Sequence, residues 1–347
     1  MNKGTTPYRA GIIGLGRVAS LLEKDPLRFH PCTHAGFLSQ REDVELVAGC
    51  DTKVDRREEF ASTWNLATSS VYEDYRDMLA DERLDIVSIC AYATERLAMC
   101  EAAIEAGVRA LWIEKSLGCS LREANRIMEL VAQADIAAVV DYPRRARSAY
   151  RAVKRLIDEQ RFGRLQTVTC HMNGQLLHTG THAFDVLRYW GGEAMQACAT
   201  LEREDRVDSE FQDRGGTGTI EFDSGMVAFV SAKRKRYYIF QFDLVFEEGR
   251  ILLGNDIQKV YTPGDSRFYS GFRELFETNE VELRDPHKED LLQDLVTSME
   301  TGEPPIASVP NAVEALRIGL ALFESNRRQA QWVKVREVSE DLRIANL

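Results

Sequence analysis

Over the first 140 positions apolar residues come in short runs, separated by stretches with helical spacing. Ala10–Ile13, Val44–Cys50, Leu84–Cys90, Arg109–Ile113 and Ile136–Val140 are such runs. Their length and near-continuous apolarity predict buried parallel strands. Between them, 56–64, 75–80, 95–106 and 121–134 predict helices, with Gly107 as a C-cap, and Val71-Tyr72 marks a short further strand. Strands alternating with helices give a doubly wound α/β sheet, a Rossmann domain over residues 1–143.

After a helix at 148–160 the texture changes. Runs at 165–172, 195–201, 217–222, 226–234, 239–247 and 250–253 predict strands with little helix between them. Asp223-Ser224-Gly225 and Glu248-Gly249 are turn signals. The pattern predicts an open, mostly antiparallel sheet in an α+β domain over 144–347, with helices at 287–301 and 312–327. An open sheet needs one face covered, so a homodimer or homotetramer through that sheet is expected.

The composition narrows the class. The chain has 347 residues, 44% hydrophobic and 29% charged, as in a soluble two-domain protein. A net charge of −11 argues against nucleic acid or an anionic membrane as partner. No apolar run reaches transmembrane length, and the first strand begins too early for a signal peptide, so a cytoplasmic protein is expected. Seven cysteines include no Cys-x-x-Cys pair, which argues against a zinc knuckle or disulfide scaffold and fits a reducing compartment.

Chemistry gathers at the strand ends. The first strand runs into Gly14-Leu15-Gly16-Arg17-Val18-Ala19, a Gly-x-Gly-x-x-Ala turn. Gly14 permits the turn, Gly16 lets backbone approach a pyrophosphate, and Ala19 allows close helix packing. The helix expected next is brief, because Asp25-Pro26 and His30-Pro31 interrupt it. Asp51 ends the second strand, where an acid accepts hydrogen bonds from the adenine-side ribose and repels a 2′-phosphate. That favours NAD; Arg17 and Arg56 could reach a 2′-phosphate, so NADP stays open. Asp51 lies farther from the glycines than usual, and Leu21–Cys32 reads as the insertion responsible. It is expected to fold over the cofactor or the substrate mouth; a solvent-side excursion is the equal alternative. Ligands should gather at Gly14, Asp51, Cys90, Glu114 and Asp141.

The glycine turn, Glu114-Lys115 after the Arg109–Ile113 strand, and Gly180-Thr181-His182-Ala183-Phe184-Asp185 together resemble the Gfo/Idh/MocA oxidoreductases, named for glucose–fructose oxidoreductase, inositol dehydrogenase and a rhizopine enzyme. The resemblance runs from Arg9 to about Val335. It implies two domains and hydride transfer between NAD(H) or NADP(H) and a secondary alcohol or ketone of a sugar, sugar derivative or cyclitol. Lys115 then contacts substrate and cofactor, and His182 acts as acid or base, which an imidazole can do near neutral pH. Arg17, Val18, Arg56, Ala91, Tyr92 and Glu114 join Gly14, Gly16, Asp51 and Lys115 on the cofactor side. Tyr142, Arg145, His178, His182 and Asp185 join Lys115 on the substrate side, with Asp185 holding either the imidazole or a sugar hydroxyl, or acting structurally.

Five positions depart from the family pattern. His178 replaces the aspartate four residues before the histidine and is expected as hydroxyl ligand or proton relay; no metal is expected from the His178/His182 pair. Ser116 replaces a proline, and since a cis bond before serine costs about 2.5–4 kcal/mol, a trans Lys115–Ser116 bond is expected. Ala91-Tyr92 and Arg96 replace a Thr-Pro and a histidine. Other family members suggest a lyase, epimerase or glycosidase that uses tightly held NAD transiently, or a non-catalytic NAD-sensing regulator. The basic run Lys233-Arg234-Lys235-Arg236 reads as a strand end with charges in solvent, with a contact to an anionic substrate group on the sheet face or a targeting signal as the alternatives.

Overall fold

The structure, a computed structural model, describes residues 6–203, 211–284 and 290–345. Residues 6–141 and 290–310 form one compact unit, and 142–284 and 311–345 form another.

In the first unit the elements are β1 (Tyr8–Ile13), α1 (His34–Ser39), β2 (Val44–Cys50), α2 (Val54–Trp64), β3 (Val71–Tyr72), α3 (Tyr75–Asp81), β4 (Ile86–Ile89), α4 (Arg96–Glu105), β5 (Ala110–Ile113), α5 (Leu121–Ala134) and β6 (Ala137–Val140). The strands form one parallel sheet in the order β3-β2-β1-β4-β5-β6. The order reverses between β1 and β4, the switch point where such sheets bind ligands. Every residue of β4 and β5 is buried, which explains their unbroken apolar reading.

No helix follows the glycine turn directly. Turns lead through Ser20 into a short 3-10 segment, Leu21–Lys24. The backbone N–H groups of His34 and Ala35 then donate to the carbonyls of Val18 and Ala19 at 3.1 and 2.9 Å. These are the bonds a continuous helix makes four residues on. The insertion is therefore looped out of a helix that α1 resumes. It closes on itself through Glu23, whose Oε2 accepts from the backbone N–H of Cys32 and Thr33 and from the Thr33 hydroxyl at 3.1, 3.0 and 2.6 Å. Lys24 pairs with Glu59 of α2, while Leu27 and Phe29 are 93% and 98% exposed.

The second unit holds α6 (Ser148–Asp158), β7 (Leu165–Asn173), α7 (Gly180–Gly191), β8 (Ala194–Leu201), β9 (Gly216–Phe222), β10 (Val227–Lys233), β11 (Phe240–Phe246), β12 (Gly249–Gly254), β13 (Gln258–Asp265) and β14 (Arg273–Thr278). After α8 (Leu291–Thr301), α9 (Val309–Arg327) and β15 (Val333–Lys334) complete the list. The sheet order is β14-β13-β12-β11-β7-β10-β9-β8-β15, antiparallel except where β7 pairs with β10. Trp190 of α7 meets Phe242 edge-to-face with centroids 5.1 Å apart and stacks on Tyr150 of α6 at 5.7 Å. The opposite face carries Thr169, His171, Cys198, Thr217, Phe229 and Ser231 around a shallow depression of about 410 Å³.

The expected boundary at residue 143 put everything after it in one domain. Helix α8 instead packs on β5 and β6 of the first unit. The Val140 N–H donates to the Ala307 carbonyl, beyond α8, at 2.9 Å. The start expected for that helix, residue 287, lies outside the described residues. In the basic run, Lys233 pairs with Glu202 at 3.5 Å and Arg236 donates back to Ser231.

Candidate active site

The glycine turn lies between the ends of β1, β2 and β4. Gly14 has φ +87°, and a Cβ there would come within 3.0 Å of the Ala91 backbone nitrogen, so glycine is required. A Cβ on Gly16 would meet only Arg56, at 3.7 Å. This open, side-chain-free cradle, with Arg17 and Val18 exposed beside it, fits a dinucleotide pyrophosphate. Asp51 is nearly buried and braces the turn. Its Oδ2 accepts from the Leu15 N–H at 2.9 Å and the Arg56 guanidinium at 3.2 Å, and its Oδ1 from the Lys53 N–H at 2.9 Å. A carboxylate offers about four acceptor positions, so a ribose hydroxyl can still be received. Tyr92 is exposed, and the Ala91 carbonyl accepts from Arg96 at 2.9 Å.

Glu114, Lys115 and Ser116 leave the carboxyl end of β5. Glu114 is buried, and its Oε2 accepts the Lys115 backbone N–H at 3.1 Å. Its Oε1 lies 3.3 Å from Nε2 of His34, which is also buried. Nδ1 of His34 lies 2.6 Å from the Ser88 hydroxyl, and the ring packs against Trp112 with centroids 4.0 Å apart. The Trp112 indole donates to Asp141 at 3.2 Å. Burial alone would lift the Glu114 carboxyl; the His34 hydrogen bond and charge, with Lys115 and Arg96, hold it well below the carboxylate range instead. Burial would depress the His34 imidazole, but Cys90, Glu114 and Asp141 hold it well above its ordinary value. Asp141 is lifted by burial and by the neighbouring Glu114 charge.

The Lys115–Ser116 bond is cis, not the trans bond expected from serine in place of proline. Ser116 is buried there, and its carbonyl accepts from the Arg96 guanidinium. Arg96, read in the sequence only as a departure, thus ties the loop after β4 to the loop after β5.

In the second unit, His182 lies in the first turn of α7, half-buried, with Tyr142 edge-to-face at 5.6 Å. His178 precedes the helix and is exposed, so the two histidines do not share one helical face. The carboxylate of Asp213 fixes the loop carrying His178: its oxygens accept from the backbone N–H of Leu177 at 2.9 Å and of His178 at 2.7 Å. Nothing in the sequence around Asp213 signalled this. Asp185, fully buried, does not hold the imidazole. Its two oxygens take the Arg145 Nε at 2.8 and 2.9 Å, and its carbonyl takes the Arg145 terminal nitrogen at 3.3 Å. Burial raises the Asp185 carboxyl to about 6 despite Arg145. Arg145 and Asp185, expected as substrate ligands, are here engaged with each other. A pair this buried needs both charges, because either one alone would be left uncompensated.

Among the described residues, two clusters could offer a metal three ligands: Glu23/His30/Cys32 and His34/Glu114/Asp141. Neither contains His178 or His182. No described helix is long and apolar enough to cross a membrane.

A six-stranded parallel sheet with a glycine cradle at its switch point, followed by a nine-stranded mixed sheet, defines a dinucleotide-binding oxidoreductase architecture. The family described as "Oxidoreductase family, NAD-binding Rossmann fold" matches residues 8–142, and its "C-terminal alpha/beta domain" matches 154–335. The chain belongs to the Gfo/Idh/MocA oxidoreductase family, and its first unit is that family's NAD-binding Rossmann fold. It is 24% identical to myo-inositol 2-dehydrogenase of Thermotoga maritima over 350 aligned positions, 95% of this chain and 99% of that one. A Desulfitobacterium hafniense protein, described as an NADPH-dependent oxidoreductase, shares the fold at 16% identity and TM-score 0.80, covering 96% of this chain and 99% of that one. The WlbA dehydrogenase of Bordetella pertussis, solved with NADH and UDP-GlcNAcA, shares it at 16% identity and TM-score 0.74, covering 94% and 98%.

Proposed function

We propose that this protein is an NAD-dependent dehydrogenase acting on a secondary alcohol of a sugar, sugar derivative or cyclitol. The observation that carries the reading is Lys115 at the carboxyl end of β5, its backbone fixed by buried Glu114. The kinship with myo-inositol 2-dehydrogenase supports the substrate class. Gly14 and Gly16 receive the pyrophosphate, Asp51 the ribose, and Arg17, Val18, Ala91 and Tyr92 border the cofactor. Bound there, NAD supplies the hydride acceptor. The Lys115 ammonium donates to the alcohol oxygen and stabilises the charge that grows on it. The His182 imidazole takes the hydroxyl proton in oxidation and returns it in reduction. His178 and Tyr142 contribute hydroxyl contacts.

Asp51 favours NAD over NADP, because its charge repels a 2′-phosphate. The acidic chain and its seven free cysteines support a cytoplasmic protein without nucleic-acid or membrane partners. The open face of the second sheet supports a homodimer or homotetramer.

The test is NADH formation at 340 nm across a panel of polyols, cyclitols and glycosides, and its consumption with their ketones. Wild-type protein is expected to turn over at least one member. Lys115→Ala is expected to lose about a thousandfold in kcat, a loss of the size seen when an oxyanion donor is removed. Turnover intact in Lys115→Ala overturns the assignment.

A further inference from the structure

Lys115 sits in a chain of contacts that begins at a residue remote from it in sequence. His34 leads α1, which resumes the helix after the insertion. Its ring lies on Trp112, with Nε2 toward Glu114 and Nδ1 toward Ser88 of β4. The other oxygen of Glu114 accepts the Lys115 N–H. We propose that His34 is the positioning residue for Lys115, acting through the Glu114 carboxylate. The inference rests on the reading of Lys115 as the residue that meets the substrate oxygen.

The physical argument is one of charge in a dry place. Glu114 can keep a fixed carboxylate beside Lys115 only if a buried cation compensates it. Three elements face the imidazole: β4 and its end supply Ser88 and Cys90, β5 and its end supply Trp112 and Glu114, and the end of β6 supplies Asp141; Arg96 of α4 adds charge on Glu114. With one ring nitrogen facing a carboxylate and the other a hydroxyl that can accept, an imidazolium fills both directions as a donor. Its charge holds Glu114 ionised, and ionised Glu114 is the stronger acceptor for the Lys115 N–H. Without His34, Glu114 either takes up a proton or turns toward Arg96, and Lys115 loses its fixed backbone.

The first test needs no substrate. Whole protein is reductively methylated with limiting formaldehyde, and Lys115 and Lys53 are read by peptide mass spectrometry. His34→Gln and Glu114→Gln are each expected to change the Lys115 rate by about threefold or more, the equivalent of half a pKa unit, with Lys53 unmoved. The double variant should change no more than the larger single, since both act through one link. A smaller change in folded His34→Gln, or single effects that multiply, overturns the proposal. If His34→Gln does not fold, Ser88→Ala removes the Nδ1 partner, and an unmoved Lys115 rate there overturns it.

The second test is kinetic. His34→Gln is expected to lower kcat about tenfold or more, as small misplacements of a catalytic group do, with NADH affinity by fluorescence retained. Parallel loss of NADH binding would make His34 a merely structural residue and overturn the proposal. A stoichiometric divalent metal recovered with wild type and lost from His34→Gln would also overturn it, assigning His34, Glu114 and Asp141 to a metal. Loss of turnover in Lys115→Ala with His34→Gln unaffected overturns this inference alone. Turnover intact in Lys115→Ala overturns the functional reading beneath it.

Discussion

The backbone N–H of Ala35 donates to the carbonyl of Ala19 at 2.9 Å, although the whole insertion lies between them in sequence. With His34 bonded to Val18 in the same way, His34 occupies the place of the fourth residue after Val18 in an unbroken helix. The insertion can therefore be cut out. Joining Leu21 to His34 and deleting residues 22–33 is expected to leave the fold and NADH binding intact. The removed segment makes most of its hydrogen bonds to itself, and surface insertions cost little, on the order of 1 kcal/mol. Fluorescence titration with NADH checks this; a loss of affinity beyond about tenfold, or 1.4 kcal/mol, would mean the insertion touches the cofactor.

The buried His34–Glu114 pair gives a pH signature with a definite sign. Glu114 is held below its ordinary value of 4.5, so its contribution is present above pH 4.5 and disappears as pH falls through the depressed value. His34 is held above its ordinary value of 6.5, so its contribution is complete below pH 6.5 and disappears as pH rises through the raised value. Asp141 is raised to about 6, so its charge adds to the pull on His34 only toward the upper end of that range. The stability gap between wild type and His34→Gln is therefore expected to be widest between those two ordinary values and to narrow on both sides. Thermal unfolding of both proteins from pH 4 to pH 9 measures the gap; a gap that widens steadily toward pH 9 contradicts the pairing.

Asp185 and Arg145 make a sharper contrast between scaffold and ligand. Both are buried, and each is the other's partner. Asp185→Ala leaves a guanidinium uncompensated in the interior and is expected to cost about 3–5 kcal/mol. Replacing both residues, Arg145→Met with Asp185→Leu, is expected to recover much of that loss. Denaturant midpoints for the three variants decide it. A single variant with unchanged stability but a raised KM would return Asp185 to the substrate site.

How much of this was legible in the sequence follows from where each signal lies. The parallel strands were readable because both faces of β4 and β5 are covered, leaving unbroken apolar runs. Gly14, Asp51 and Lys115 stood out as candidates because the first two directly follow such a run and Lys115 lies two residues beyond one. His34 was missed because the insertion moves it away from the glycine turn whose helix it completes. Asp213 was missed because a lone acid that accepts backbone N–H groups has no periodic or motif signature. The return of α8 to the first sheet was missed because its apolar spacing states that it packs, not on which sheet. The cis Lys115–Ser116 bond ran against an argument from residue type alone, which left out Arg96 and its hold on the Ser116 carbonyl.

The face of the second sheet opposite α7, which carries no helix among the described residues, supports a last prediction. Phe229 on β10 is 44% exposed, between Thr169 of β7 and Thr219 of β9, in the middle of the sheet. The threonines, His171, Cys198 and Ser231 around it include no carboxylate, ammonium or guanidinium group, which suits a flat contact between identical faces. Phe229→Glu would place like charges opposite each other across a two-fold axis and is expected to shift the protein to a smaller species. Sedimentation velocity on wild type and variant reads this directly, with NADH binding as the check that the first unit is intact. A wild-type protein that sediments as a monomer would remove the sheet face from the list of interfaces.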